Sequence, residues 1–156
     1  MDAYGKIFSF ERDFAGSLQC IPMAVRLQLD LSGVKLSLKQ WNKFSTAERL
    51  QLLNLSSGSH EQLPSFGSLL LALIDAHSHE PAVRLPIASR PAWEHAGRVP
   101  EQVIAWAAKV GVPAPSARQW RRLSSLQRFA LLKLSLPGHD NDNFVPALRE
   151  FGLLDS

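Results

Sequence analysis

The sequence predicts an all-α fold: two tandem three-helix repeat units packed with pseudo-twofold symmetry into one domain. Three observations carry that expectation. Residues 38 to 56, LKQWNKFSTAERLQLLNLS, and 117 to 135, ARQWRRLSSLQRFALLKLS, are identical at eight of nineteen positions, where about one match is expected by chance. Both copies carry serines at helix-capping spacing. The segment before the second copy is rich in alanine and lies between a proline and a glycine, the punctuation of a helix.

The shared positions are Gln40/Gln119, Trp41/Trp120, Ser45/Ser124, Arg49/Arg128, Leu52/Leu131, Leu53/Leu132, Leu55/Leu134 and Ser56/Ser135. With one residue inserted in the second copy, the match extends upstream. Ile21-Pro22 pairs with Val99-Pro100, Val25 with Val103, and Gly33-Val34 with Gly111-Val112. Downstream, His60 pairs with His139 and Phe66 with Phe144. Self-similarity at this period is the mark of a repeated supersecondary unit. The chain of 1–156 is expected to be a single domain, with unit one about 16–79, a connector about 80–94, and unit two about 95–154. The connector, EPAVRLPIASRPAWE, contains three prolines, which punctuate rather than propagate structure.

Taken in chain order, the first element is a possible small strand within Ile7 to Phe10. For residues 22 to 32 the local pattern is divided. Val25, Leu27, Leu29 and Leu31 alternate with Arg26, Gln28 and Asp30, which alone reads as a hairpin turning at Ser32-Gly33. The paired segment from Pro100 to Gly111 has proline at its start, three alanines and a glycine stop, so helix is favoured there and, by transfer, in the first unit. Ser37 and Ser116 can cap short helices carrying Trp41 and Trp120. Ser45-x-x-Glu48 and Ser124-x-x-Gln127 then have capping-box spacing and open the next helices. Segments 64 to 77 and 143 to 154 complete each unit, with Pro64 and Pro146 tolerated in first turns.

Composition sets limits on function. The chain is 156 residues long, 46% apolar and 20% charged, enough to bury a core without staples. A single cysteine, Cys20, excludes an internal disulfide and a multi-cysteine zinc site, and favours a reducing compartment. Charged residues interrupt the N-terminus before an export segment could form, and the apolar run Leu69 to Ile74 is too short to span a bilayer. A cytoplasmic protein is expected.

Chemistry-bearing patterns are sparse, so the expectation is that the chain is not an enzyme. Cys20 has no histidine near it in sequence, and a buried structural thiol is favoured over a nucleophile. Asp75, His77, His79 and Glu80 offer metal ligands, yet they fall where a helix ends, where histidine is favoured by the dipole. His60 and His139 read as loop residues, and no metal or other cofactor is expected. Net charge is +3, with the excess in the second half. Lys39, Lys43, Arg118, Arg121 and Arg122 form a face suited to phosphates. The helices that follow are rich in leucine, which disfavours a recognition surface. Nucleic-acid binding therefore stands as an alternative rather than the leading reading. Trp41 and Trp120 read as core positions, and Arg49 and Arg128 as braces for a neighbouring copy or for carboxylates such as Asp30 and Glu48.

The N-terminal residues carry a more specific signal. Phe8-Ser9-Phe10-Glu11, then Cys20-Ile21-Pro22-Met23-Ala24-Val25-Arg26, Leu29-Asp30, Gly33-Val34-Lys35-Leu36 and Trp41 to Arg49 closely resemble the nitrate reductase-associated protein family. These are small bacterial proteins, often encoded beside genes for assimilatory nitrate reductase or for the molybdenum cofactor, and one branch is needed for active nitrate reductase. The resemblance covers nearly the whole chain and is most specific over residues 8 to 49. It implies a non-enzymatic accessory or maturation role exercised by protein contact on that molybdoenzyme, and it brings no catalytic residue set with it. A metal or molybdenum-cofactor carrier is a further alternative. Phe8, Phe10, Cys20, Met23 and Arg26 are the first candidates for a docking surface. The competing reading places the same aromatic residues in the core, tying the N-terminus down.

Overall fold

A computed structural model describes residues 7–12, 18–56, 62–78, 80–87, 91–136 and 141–154. Among these residues it contains eight α-helices, three short 3-10 turns and one pair of two-residue strands. The fold is all-α, as predicted. The chain divides into two compact units, Met1–Ile87 and Ala88–Ser156.

The first unit runs α1 (Met23–Ser32), β1 (Val34–Lys35), α2 (Leu38–Lys43), α3 (Thr46–Asn54), α4 (Leu63–His77) and β2 (Val83–Arg84). Helix wins over hairpin at residues 23–32. Pro22 supplies an N-cap that needs no N–H, and Gly33 closes the helix at φ 68° with its amide donating to the Leu29 carbonyl at 2.9 Å. The alternating leucines are all usable because α1 is buried on several sides: Met23, Ala24, Val25, Leu27, Gln28 and Leu29 are inside. Gly33 is required twice over. Besides its left-handed φ, a Cβ there would lie 2.7 Å from Ile87 Cγ1 and 2.9 Å from the Leu85 carbonyl oxygen. That crowding arises where β2 pairs antiparallel with β1, Val34 opposite Arg84 and Lys35 opposite Val83. The predicted connector is thus partly pinned to the first unit.

In the second unit the order is α5 (Glu101–Val110), α6 (Ala117–Arg122), α7 (Ser125–Leu134) and α8 (Phe144–Glu150). Counting the six-residue helices α2 and α6, the described residues of each unit form four helices. Gly111 ends α5 at φ 79°, but a Cβ there would meet nothing within 4 Å. Pro64 and Pro146 both fall in first turns, where a missing N–H is tolerated.

All four predicted serine caps form. Ser37, Ser45, Ser116 and Ser124 each accept from the backbone N–H three residues on at 3.1 Å. Gln40, Glu48, Gln119 and Gln127 reach back to the serine amides at 2.9, 2.7, 2.9 and 2.9 Å. Each box satisfies two donors that a helix start would otherwise leave open. Between the caps, Trp41, Leu52, Leu53, Phe66, Leu70 and Ile74 fill the first core, and Trp120, Phe129, Leu131, Leu134 and Phe144 the second.

One local expectation is corrected. The N-terminal segment forms a 3-10 turn over Ser9–Glu11 rather than a strand within Ile7 to Phe10. The turn positions Glu11 to use its carboxylate on backbone donors, which an extended chain would separate.

Candidate functional site

The Phe-x-Phe-Glu and Cys-Ile-Pro-Met motifs meet at one carboxylate. Glu11 is 1% exposed. One of its oxygens accepts the Phe8 N–H at 3.1 Å and the other accepts the Met23 N–H at 3.0 Å. Met23 is the first residue of α1, so a negative charge sits at the positive end of that helix, a stabilising arrangement. A buried carboxylate must be compensated in this way or be very costly. The carboxylate thereby ties the 3-10 turn to the start of α1.

The residues of the second motif are placed differently. The Ile21 carbonyl accepts from Arg26 Nε at 3.1 Å. Pro22 presents its carbonyl to the Arg26 amide at 3.0 Å. Met23 places its side chain in the core at 1% exposure. Cys20 is a free thiol, half-buried. Phe8 and Phe10 stack with ring centroids 5.3 Å apart and planes 17° apart, and both are half-buried. The structure therefore divides the five docking candidates. Phe8, Phe10, Cys20 and Arg26 present part of their surface. Met23 does not, because α1 turns it inward.

The chain at Leu18, ahead of α1, is fastened by residues shared between the two copies. Leu18, buried and at φ 62°, offers its carbonyl to Trp41 Nε1 at 2.7 Å and to Arg49 Nη1 at 3.2 Å. Arg49 also donates to the carbonyls of Trp41 and Asn42, at 3.1 and 3.0 Å. In the second unit Trp120 Nε1 donates to the His95 carbonyl at 2.9 Å, and Arg128 donates to those of Trp93 and Leu123 at 2.7 and 2.5 Å. The expectation that these arginines brace carboxylates or a neighbouring copy is corrected. Their planar forks collect backbone carbonyls within their own units, a geometry that suits guanidinium. Burial of Arg128 pushes its pKa down from the ordinary value.

The remaining sequence candidates separate. His77 is held by Glu48, with Nε2 3.0 Å from one carboxylate oxygen and 3.1 Å from the other, and its ring lies 5.7 Å from that of Phe44. Asp75 is exposed beside it in sequence. His60, His79 and His139 lie outside the described residues. No group of three or more His, Cys, Asp or Glu suited to a metal ion occurs among the described residues, and no helix there is long and apolar enough to cross a membrane. The leucine-rich helix α7 is committed to packing, with Arg128, Phe129, Ala130, Leu131 and Leu134 inside.

Sequence reasoning did not single out Glu11 or Leu18. Glu11 carried a usable signal, an acid flanked by aromatic residues and three positions after Phe8. Leu18 carried none, since nothing about a leucine announces a left-handed backbone.

The sequence model of the conserved nitrate reductase-associated protein family matches residues 7–151. The chain belongs to that family. No curated protein and no solved structure matches it.

Proposed function

We propose that this chain is a non-enzymatic accessory or maturation factor that works in the cytoplasm by protein contact on assimilatory nitrate reductase, a molybdoenzyme. Family membership across residues 7–151 is the observation that carries the reading. The contacts that hold Phe8 and Phe10 support it, because a partner-binding surface gains affinity when its side chains are held before contact. Phe8 and Phe10 are held as a stacked pair, and with Cys20 and Arg26 they make the candidate docking patch. A protein that binds one state of its partner shifts the population toward that state, which is sufficient for maturation without chemistry.

The two units are read as tandem copies of one ancestral helical unit. The paired capping boxes and the paired Trp and Arg contacts to backbone carbonyls support that reading. On this view the duplicated residues build the frame, and the motifs found in the first unit alone carry the contact.

The test is a deletion strain grown on nitrate. Nitrate reductase activity is expected to fall and to return with the wild-type gene. A Phe8→Ala/Phe10→Ala double variant with unchanged circular dichroism should fail to restore it. Full activity in the deletion strain overturns the proposal. Stoichiometric metal or pterin in the purified protein, with activity lost on Cys20→Ser or His77→Ala, would instead identify a carrier.

A further inference from the structure

The first unit carries an open groove of about 360 Å³. It exists because the chain returns after α4: β2 pairs with β1, and the Leu85 N–H donates to the Gly33 carbonyl at 2.8 Å. That return sets Pro81 and Val83 opposite α2 as one wall. Lys35 on β1 and Lys39 and Lys43, one turn apart on α2, line the same groove, with Glu80 on its rim. Three lysines and one glutamate thus line it. Among the described residues none of the three lysines has an acidic partner within ion-pair distance.

Like charges gathered without internal compensation repel one another and are relieved by an anionic ligand. The apolar side of the groove narrows the choice of ligand. Val83 is 52% exposed, and the chain continues with Leu85 at 48% and Ile87 at 59%, an apolar row at alternate positions beside the basic one. A bare phosphate would leave that row unused, and so would a nucleic-acid backbone. An extended polypeptide uses both, since alternate side chains of a strand project to opposite sides.

We propose that this groove binds an extended acidic segment of the partner protein, its carboxylates received by Lys35, Lys39 and Lys43 and its apolar side chains resting on Val83 and Leu85. The proposal rests on the protein-contact reading above and adds to it the chemistry of the partner's surface. It also enlarges the contact beyond the Phe8 and Phe10 patch to α2 and the β1–β2 pair.

The probe is a fluorescein-labelled peptide alternating glutamate with valine and leucine, followed by anisotropy with the full chain. Affinity should fall at least about tenfold in the Lys35→Glu/Lys39→Glu/Lys43→Glu variant. It should change less than about twofold in Arg118→Glu/Arg121→Glu/Arg122→Glu on α6, which carries the same charge change on residues that do not line the groove. All six side chains are exposed, and unchanged melting curves confirm that both variants fold. Equal peptide affinity in the two variants overturns the proposal. So does tighter binding of tripolyphosphate or single-stranded DNA that the lysine reversal abolishes. Immobilised, purified nitrate reductase from the same organism supplies the second arm, and it should retain the wild-type chain and lose the lysine variant. Retention of both overturns the groove and leaves protein contact standing. Retention of neither, with the peptide result intact, overturns nitrate reductase as the partner and leaves the groove.

Discussion

The two units use the same side chains on the same kind of target and bury them differently. In each, a tryptophan indole and an arginine eight residues later take backbone carbonyls from the segment that precedes the unit's first helix. Arg128 does this at 7% exposure, against a tryptophan carbonyl in the 3-10 turn Ala92–Glu94. Arg49 remains half-exposed, and the segment it holds is secured again by Glu11. The second unit thus fastens with Trp120 and a buried Arg128, whereas the first adds a buried carboxylate to Trp41 and a half-exposed Arg49. A repeated residue pair reports a shared frame, and its burial shows how much each unit depends on it.

The glycines that end α1 and α5 offer the sharpest break between the units. Gly33→Ala and Gly111→Ala each force a side chain onto a left-handed residue, a cost of about 1–2 kcal/mol. Only at Gly33 would the new Cβ also collide with Ile87 and with the Leu85 backbone, adding about 1–3 kcal/mol of overpacking. Chemical denaturation should show a loss of about 2–5 kcal/mol for Gly33→Ala and about 1–2 kcal/mol for Gly111→Ala. Equal losses would mean that the return of residues 83–87 across β1 is not held in solution, and the groove would go with it.

Substitution of the arginines by lysine comes next in size. Lysine keeps the charge but cannot serve several carbonyls as a planar fork does. At Arg128 the abandoned carbonyls are buried, so the loss should be about 2–3 kcal/mol. At Arg49 water can replace the missing donors, and about 1 kcal/mol is expected. A reversed order in denaturation midpoints would break the comparison by placing the greater dependence in the first unit.

Much of the frame was legible in the sequence because it rests on local chemistry. Ser45 with Glu48 and Ser124 with Gln127 are separated by three residues, and a capping box needs nothing from elsewhere in the chain. The helix over 23–32 was legible only through its partner, since its own alternation of Leu27, Leu29 and Leu31 fitted a strand as well. Burial on several sides of α1 removes that conflict, and burial is a tertiary property. Targets were the least legible part. Arg49 and Arg128 were recognisable as braces, but a backbone carbonyl has no sequence signature, so carboxylates were the natural guess. The candidate site shows the same division. Its motifs were visible as words, while the closure of Phe8 to Met23 through Glu11 and the lysine groove behind β2 depend on contacts between segments.

The smallest expected effect concerns the one of the four serine capping boxes that is closed by a carboxylate. The Glu48 carboxyl is held below the ordinary carboxylate value, chiefly by the Ser45 backbone N–H and then by the His77 ring. A carboxyl whose pKa is lower in the folded than in the unfolded chain binds more protons when unfolded at acid pH. Its contribution is therefore complete above the unfolded value of 4.5 and is lost as pH falls through the folded value. Gln127, in the corresponding box of the second unit, has no proton to gain. Glu48→Gln should accordingly reproduce that neutral cap in the first unit and flatten part of the acid limb of the stability curve, below the unfolded value of 4.5. The change should stay under about 1 kcal/mol, because the pair is solvent-washed and screened. An acid limb of unchanged slope in Glu48→Gln would show that the cap and His77 do not stabilise the folded state through Glu48 ionisation, and the two boxes would then be equivalent in energy as well as in geometry.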